Sequence, residues 1–128
     1  MKAQVTLEFL LLFAVLLAFL AVWISMMVDA RKDMSNRLSE LYKNNALYLL
    51  KQSADEICIL GPGNNRSINI LLMSDSIVQS SGKNVTITDQ NSIMTEKTRC
   101  DVSMVRIAIK AGELTMENTN GTISVRKA

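Results

Sequence analysis

The chain has 128 residues, a formal net charge of +2, 48% hydrophobic side chains and no histidine. So small a charge gives no electrostatic footprint for nucleic acid or for a strongly acidic partner. Without histidine no side chain is suited to shuttle protons near neutral pH. The carboxylates fall at neither metal-ligand nor acid–base spacings: Asp55 and Glu56 are adjacent and point to different sides of a helix, while Asp75, Asp89 and Asp101 are scattered. The Gly-rich run Gly61-Pro62-Gly63-Asn64-Asn65 lacks the Gly-Lys-Ser/Thr of a phosphate cradle, and no Ser or Thr sits in a nucleophile elbow. The sequence therefore predicts no catalytic residue, no cofactor and no metal site.

The chain starts Met1-Lys2-Ala3-Gln4-Val5-Thr6-Leu7-Glu8, and the twenty residues Phe9 to Val28 carry no charge and one polar side chain, Ser25. As a helix this run is about 30 Å long, the thickness of a bilayer's hydrocarbon core. Glu8 stands at its start, where a carboxylate entering lipid costs a few kcal/mol unless it is paired. Secretory signals are arranged differently, with a shorter apolar core and a small-residue cleavage site after it. Here the small residue Ala3 and the basic residue Lys2 both precede the apolar run. Basic residues flank both ends, Lys2 on one side and Arg31 and Lys32 on the other, so charge asymmetry leaves the orientation open.

Lys2-Ala3-Gln4-x-Thr6-x-Glu8-Phe9 resembles the class III signal peptide of archaeal type IV pilin-like proteins, with Thr6 where Ser is more usual. The resemblance implies cleavage by a prepilin peptidase between Ala3 and Gln4, so that residues 1-3 are a leader. The hydrophobic helix 4-28 would stay on the mature chain as membrane anchor and filament core, with the carboxyl-terminal part outside the cell. Lys2, Ala3, Gln4 and Glu8 would direct processing. Gln4 and Glu8 would also act in assembly, because cleavage frees an α-amine one helical turn from the Glu8 carboxylate, in reach of that carboxylate or of a neighbouring subunit's. An archaellin fits less well, since its signal usually carries Gly where this chain has Gln4 to Leu7.

No Gly or Pro occurs from Asp29 to Ile57. Met34, Leu38, Leu41, Tyr42, Leu49, Leu50 and Ile57 recur at helical spacing, and this predicts an amphipathic stem over 29-57 with Arg31, Lys32, Arg37, Lys43 and Lys51 mostly on its wet side. One helix of about 50 residues is the simplest reading. Two helices hinged near residues 29-33 are the alternative, and Asn44-Asn45 is a second place for a bend.

The stem ends at the turn-forming run from Gly61, and a small domain over 58-128 follows. About 70 residues make a core small enough to benefit from a staple. Cys58 and Cys100 are the only thiols, at a spacing that fits neither zinc nor a CxxC. In an extracellular domain they indicate a disulfide, the alternative being two buried free thiols. The segment Glu56 to Arg66 is also similar to a Cys-x-x-Gly-x-Gly-Asn run that follows the stem in some archaeal pilin heads.

Beyond the turn the pattern becomes β. Ser67–Leu72 and Asn84–Thr88 alternate, and Val102–Lys110 carries Val105, Ile107 and Ile109 in step. Ala111-Gly112 reads as a tight turn into Glu113–Glu117, and Asn118–Gly121 turns the chain into Thr122–Arg126. The last three segments predict an antiparallel meander. The fold class is thus α+β: a long N-terminal hydrophobic helix followed by a small antiparallel β-sheet head. Three Asn-x-Ser/Thr triplets, at Asn65, Asn84 and Asn120, are candidate N-glycosylation sites.

The resemblance implies a structural subunit of a type IV pilus-like surface filament with roles in adhesion, held in the cell membrane before assembly. Its partners would be the membrane, the prepilin peptidase, the pilus assembly machinery and copies of itself or related pilins, with no nucleic acid. Two other readings remain: a single-pass anchored surface binding module, and a minor pilin or pseudopilin that forms no long filament.

Overall fold

A computed structural model describes residues 2–90 and 92–128, with side chains from Thr6 onward apart from Asn91. One α-helix and six strands follow one another: α1 (Lys2–Leu60), β1 (Asn65–Ser81), β2 (Asn84–Thr88), β3 (Ile93–Lys97), β4 (Asp101–Met104), β5 (Ile107–Thr119) and β6 (Thr122–Lys127). The fold is α+β, a long apolar helix followed by a curled, mostly antiparallel sheet. The chain forms two compact units, Met1–Arg37 and Leu38–Ala128.

The first unit is wholly helical where it is described, and from Thr6 to Arg37 every residue is exposed. Helix α1 is assigned without a break past residues 29-33 and past Asn44-Asn45. Both of those asparagines face solvent, while their neighbours Lys43, Ala46 and Leu47 are buried. Packing of that buried face outweighs the few tenths of a kcal/mol by which Asn disfavours a helix.

In the second unit, the last turns of α1 lie on the sheet. Ala46, Leu47, Leu50, Ala54 and Ile57 recur at three- and four-residue spacing and join one core with Ile68, Ile70, Leu72, Val78, Val85, Ile87, Leu114, Met116 and Ile123. This is not the face the sequence suggested. Leu50 and Ile57 belong to it, but Met34 is 72% and Leu41 64% exposed, and Lys43, expected on the wet side, is buried.

The strand order is β3-β2-β1-β5-β6-β4. Strand β1 is far longer than the alternation of Ser67–Leu72 indicated, because it pairs with β5 at its start and with β2 at its end. Its register against β5 is Leu71 opposite Ala111 and then Ser76 opposite Ile109, so β1 carries extra residues at an irregularity that bends the sheet. On β5 the inward set changes phase at the same place, from Ile109 to Leu114 and Met116. Ala111-Gly112, expected as a tight turn, therefore lies inside a continuous strand. The expected meander is also replaced. Val105 and Arg106 interrupt the segment read as one strand, and β4 pairs parallel with β6, not antiparallel with β5.

The hairpin between β5 and β6 follows the sequence closely. Thr119 pairs with Thr122 across a two-residue turn in which Asn120 (φ 54°) and Gly121 (φ 86°) are both left-handed. That is the type I′ geometry that matches strand twist and favours Asn-Gly. Helix α1 ends at Gly61 (φ 87°), whose N–H donates to Ile57 O at 3.2 Å.

The buried Asn118 ties these two ends together. Its Nδ2 donates to Ile57 O at 3.1 Å, and its Oδ1 accepts from Gly121 N–H at 2.9 Å. Asn118→Ala removes both bonds, leaving Ile57 O with the Gly61 N–H alone. The expected loss is about 1–3 kcal/mol, read as a lower denaturant midpoint of the full-length protein in detergent.

Candidate functional site

The apolar segment of the first unit is the most distinctive surface of the chain. Its most apolar eighteen-residue stretch has a mean hydropathy of 2.8, and none of it is buried. Phe9, Leu12, Phe19 and Met26 are each exposed by about two thirds (67, 68, 67 and 67%). A helix apolar on every side is stable only in lipid or among other apolar helices. Length and composition thus make it compatible with anchoring in a membrane. The one polar side chain of the run is satisfied within the helix: Ser25 Oγ donates to Val22 O at 2.7 Å. A lipid-facing hydroxyl so bonded loses much of its cost of burial. Phe9 and Phe13, one turn apart, stack with ring centroids 6.3 Å apart and an interplanar angle of 13°.

Of the residues expected to direct processing, Glu8 is exposed on the helix one residue before this run. The backbone of Lys2, Ala3 and Gln4 is helical, and their side chains lie outside the described residues. On the N-terminal turns of α1, Gln4 and Glu8 are one turn apart along the chain, the spacing at which helical neighbours meet.

The second unit holds the remaining residues singled out from the sequence. Cys58 and Cys100 form a disulfide with a Cα–Cα distance of 6.0 Å, joining the last turns of α1 to the segment between β3 and β4. That segment is fastened again by Thr98, whose hydroxyl and backbone N–H donate to Lys83 O at 2.9 and 2.7 Å. Asn65 opens β1, Asn84 opens β2 and Asn120 occupies the β5–β6 turn; all three are exposed.

One polar cluster was not foreseen. Lys43 Nζ donates to Asp89 Oδ2 at 2.6 Å and to Ser92 Oγ, with the Lys43 and Asp89 side chains 4% and 5% exposed. Asp89 Oδ1 in turn accepts from Ser92 N–H at 2.9 Å. The signal in the sequence was positional. Lys43 stands three and four residues before Ala46 and Leu47 and seven before Leu50, on the buried face of the stem.

An open groove of about 440 Å³ runs along the stem beside Tyr48, Lys51, Asp55, Glu56 and Arg99. Three of its charged side chains are engaged within the head: Lys51 pairs with Glu96 at 3.0 Å, Glu56 with Arg66, and Asp55 accepts from the Arg99 backbone N–H at 2.7 Å. Among the described residues, no three His, Cys, Asp or Glu side chains converge to hold a metal ion. Compared with known proteins, the chain matches no family model, no curated protein and no solved structure.

Proposed function

We propose that the protein is a structural subunit of an archaeal type IV pilus-like surface filament. On this reading it is cleaved between Ala3 and Gln4 by a prepilin peptidase and polymerises through its apolar helix. The observation that carries the reading is the conjunction of three things in one order. A Lys2-Ala3-Gln4…Glu8 motif precedes the apolar run, that run is exposed on every side, and a small stapled β head follows. Transfer of such a helix from lipid to a bundle of like helices exchanges one dry environment for another, so polymerisation meets little hydrophobic cost. The head would then lie outside the cell, where Asn65, Asn84 and Asn120 are open to glycosylation and where a disulfide persists.

The test is the intact mass of the protein from native cells, with its terminal peptide sequenced. A mature chain beginning at Gln4, free or cyclised, is the expected result. A chain beginning at Met1 in mature material would sink the filament subunit and leave a single-pass anchored surface domain. Material cut before Gln4 but absent from sheared filaments would instead mark a minor pilin or pseudopilin. Glu8→Gln is expected to reduce cleavage, filament yield or both. Unchanged cleavage and yield would remove Glu8 from processing and assembly.

A further inference from the structure

We infer that the open edge of β3 binds an extended peptide strand of another protein, with an acidic side chain of that strand set against Arg99. The phase of the β2–β3 ladder decides what the edge presents. Thr98 N–H donates to Lys83 O at 2.7 Å and Asp89 N–H to Ser92 O at 3.1 Å, and between them Thr86 lies opposite Thr95. Hydrogen-bonded and non-bonded pairs alternate in an antiparallel ladder, so Ile93, Thr95 and Lys97 fall in the non-bonded class. Their backbone N–H and C=O groups therefore point away from β2. Among the described residues, no hydrogen bond reaches those groups. Sheets usually cover or blunt such an edge. At the opposite end of the strand order β4 is covered: Val102 N–H donates to Gly82 O at 2.8 Å, and Val102 O accepts from Ser80 Oγ at 2.7 Å. Strand β3 has no proline and no bulge, and Ile93 at its start is 71% exposed.

Backbone geometry, packing and charge together select the occupant. Donors and acceptors repeating every two residues, about 6.8 Å, match an extended polypeptide backbone and not a sugar, a lipid or a nucleotide. The stem runs beside β3 in the same direction: Lys43 meets Ser92, Lys51 meets Glu96, Asp55 meets Arg99 N–H and Cys58 meets Cys100. Between stem and strand lies a cavity of about 280 Å³ lined by Asn44, Leu47, Tyr48, Lys51 and Glu96. A strand added to β3 turns alternate side chains toward this cavity, which has room for a large apolar one, and the others toward Ile93. The groove beside Tyr48 and Lys51 also holds Arg99, just beyond the end of β3. Lys51 and Glu56 have ion-pair partners in the head, whereas among the described residues no carboxylate pairs with the Arg99 guanidinium. An Asp or Glu at that end of the added strand supplies one. A second copy matches poorly, because its own β3, paired two-fold about Thr95, sets Ile93 against Lys97 and brings no acid to Arg99.

Peptide binding is independent of cleavage and of filament growth. It is tested on full-length protein in detergent with a pool of short acetylated peptides that alternate Thr with Val or Leu and end in Asp-amide. Fluorescence anisotropy reads binding, and hydrogen exchange followed by NMR reads the edge. Bound peptide is expected to slow exchange at Ile93, Thr95 and Lys97 while leaving Met94 and Glu96, already bonded to β2, unchanged. Thr95→Pro removes an outward N–H that β2 does not use. Unchanged protection of the β5–β6 amides shows that this variant has folded, and its affinity should fall several-fold. Peptides N-methylated at alternate amides should lose binding to the parent protein in the same way. Arg99→Gln keeps the backbone N–H that Asp55 accepts, and should weaken the Asp-ended peptides several-fold while leaving Asn-ended ones unchanged. No binding to folded protein, or equal binding to parent and Thr95→Pro, would overturn the inference. So would protection of the three edge amides that rises with protein concentration without peptide, which marks a second copy. A mature chain that keeps Met1 yet binds peptide removes the filament reading alone, and a chain cut before Gln4 that binds none removes the peptide site alone.

Discussion

Lys43→Met is expected to destabilise the head by about 3–5 kcal/mol, the usual cost of withdrawing one partner from a buried ion pair. The Nζ of Lys43 lies 2.6 Å from Asp89 Oδ2, and neither side chain exposes more than 5% of its surface. Methionine fills the same volume and keeps the helix, so the change removes charge and hydrogen bonds rather than packing. What remains is the Asp89 carboxyl group without the Lys43 ammonium, in a region screened from water. Asp89→Asn alone should also destabilise, because it buries the ammonium opposite a neutral amide. Lys43→Met together with Asp89→Asn should be milder than the sum of the two, since neither net charge then remains. Thermal unfolding of the full-length protein in detergent, arranged as a double-mutant cycle, reads this coupling. A Lys43→Met protein within about 0.5 kcal/mol of the parent, as at an ordinary surface site, would mean that the ammonium reaches water.

The second large effect is expected from the disulfide. Cys58 and Cys100 are 42 positions apart, and loop-closure entropy for a ring of that size gives about 4 kcal/mol, within the 2–5 kcal/mol usually lost when small secreted domains lose a native bridge. Cys58→Ser with Cys100→Ser should therefore lower the unfolding temperature markedly. Reductant should lower that of the parent to a similar extent while leaving the double variant unchanged. An insensitive parent would show that the Thr98 and Val102 bonds to Lys83 and Gly82 hold the segment without the bridge. The bridge matters here because the core beneath it is small.

The sequence announced the elements whose physics is local. An uncharged run of twenty residues can hardly be anything but an apolar helix, and Asn120-Gly121 between alternating segments set the β5–β6 turn. Strand β3 was invisible for a definite reason. Its inward residues are Met94 and Glu96, the latter paired with Lys51 of the stem, while Ile93 points outward and is 71% exposed. Ile93 and Glu96 thus invert the pattern of an ordinary half-buried strand, and the three remaining positions, Met94, Thr95 and Lys97, are too few to show it. The buried Lys43 was misplaced because a charge was assigned to water, although the partner that allows its burial lies 46 residues away in the chain. The bend at Ala111-Gly112 resembles a turn in sequence because both a turn and a change of strand phase call for small residues. Only the pairing with Leu71 and Ile70 of β1, about forty residues earlier, decides between them. Among the candidate site residues, the cysteine pair was legible from count and spacing.

The parallel pairing of β4 with β6 also imposes a timetable. Strand β4 pairs in the sheet with β6, which follows it in the chain after all of β5, while Val102 of β4 is also bonded to Gly82 and Ser80, which precede it. Synthesis therefore delivers β4 before the strand it pairs with, when only the Ser80 and Gly82 contacts are there to receive it. Cys100, immediately before β4, already has its partner Cys58 at that moment. Early oxidation would moor the waiting strand beside the helix, and arrival of β6 between β4 and β5 would then close the sheet as the last event of vectorial folding.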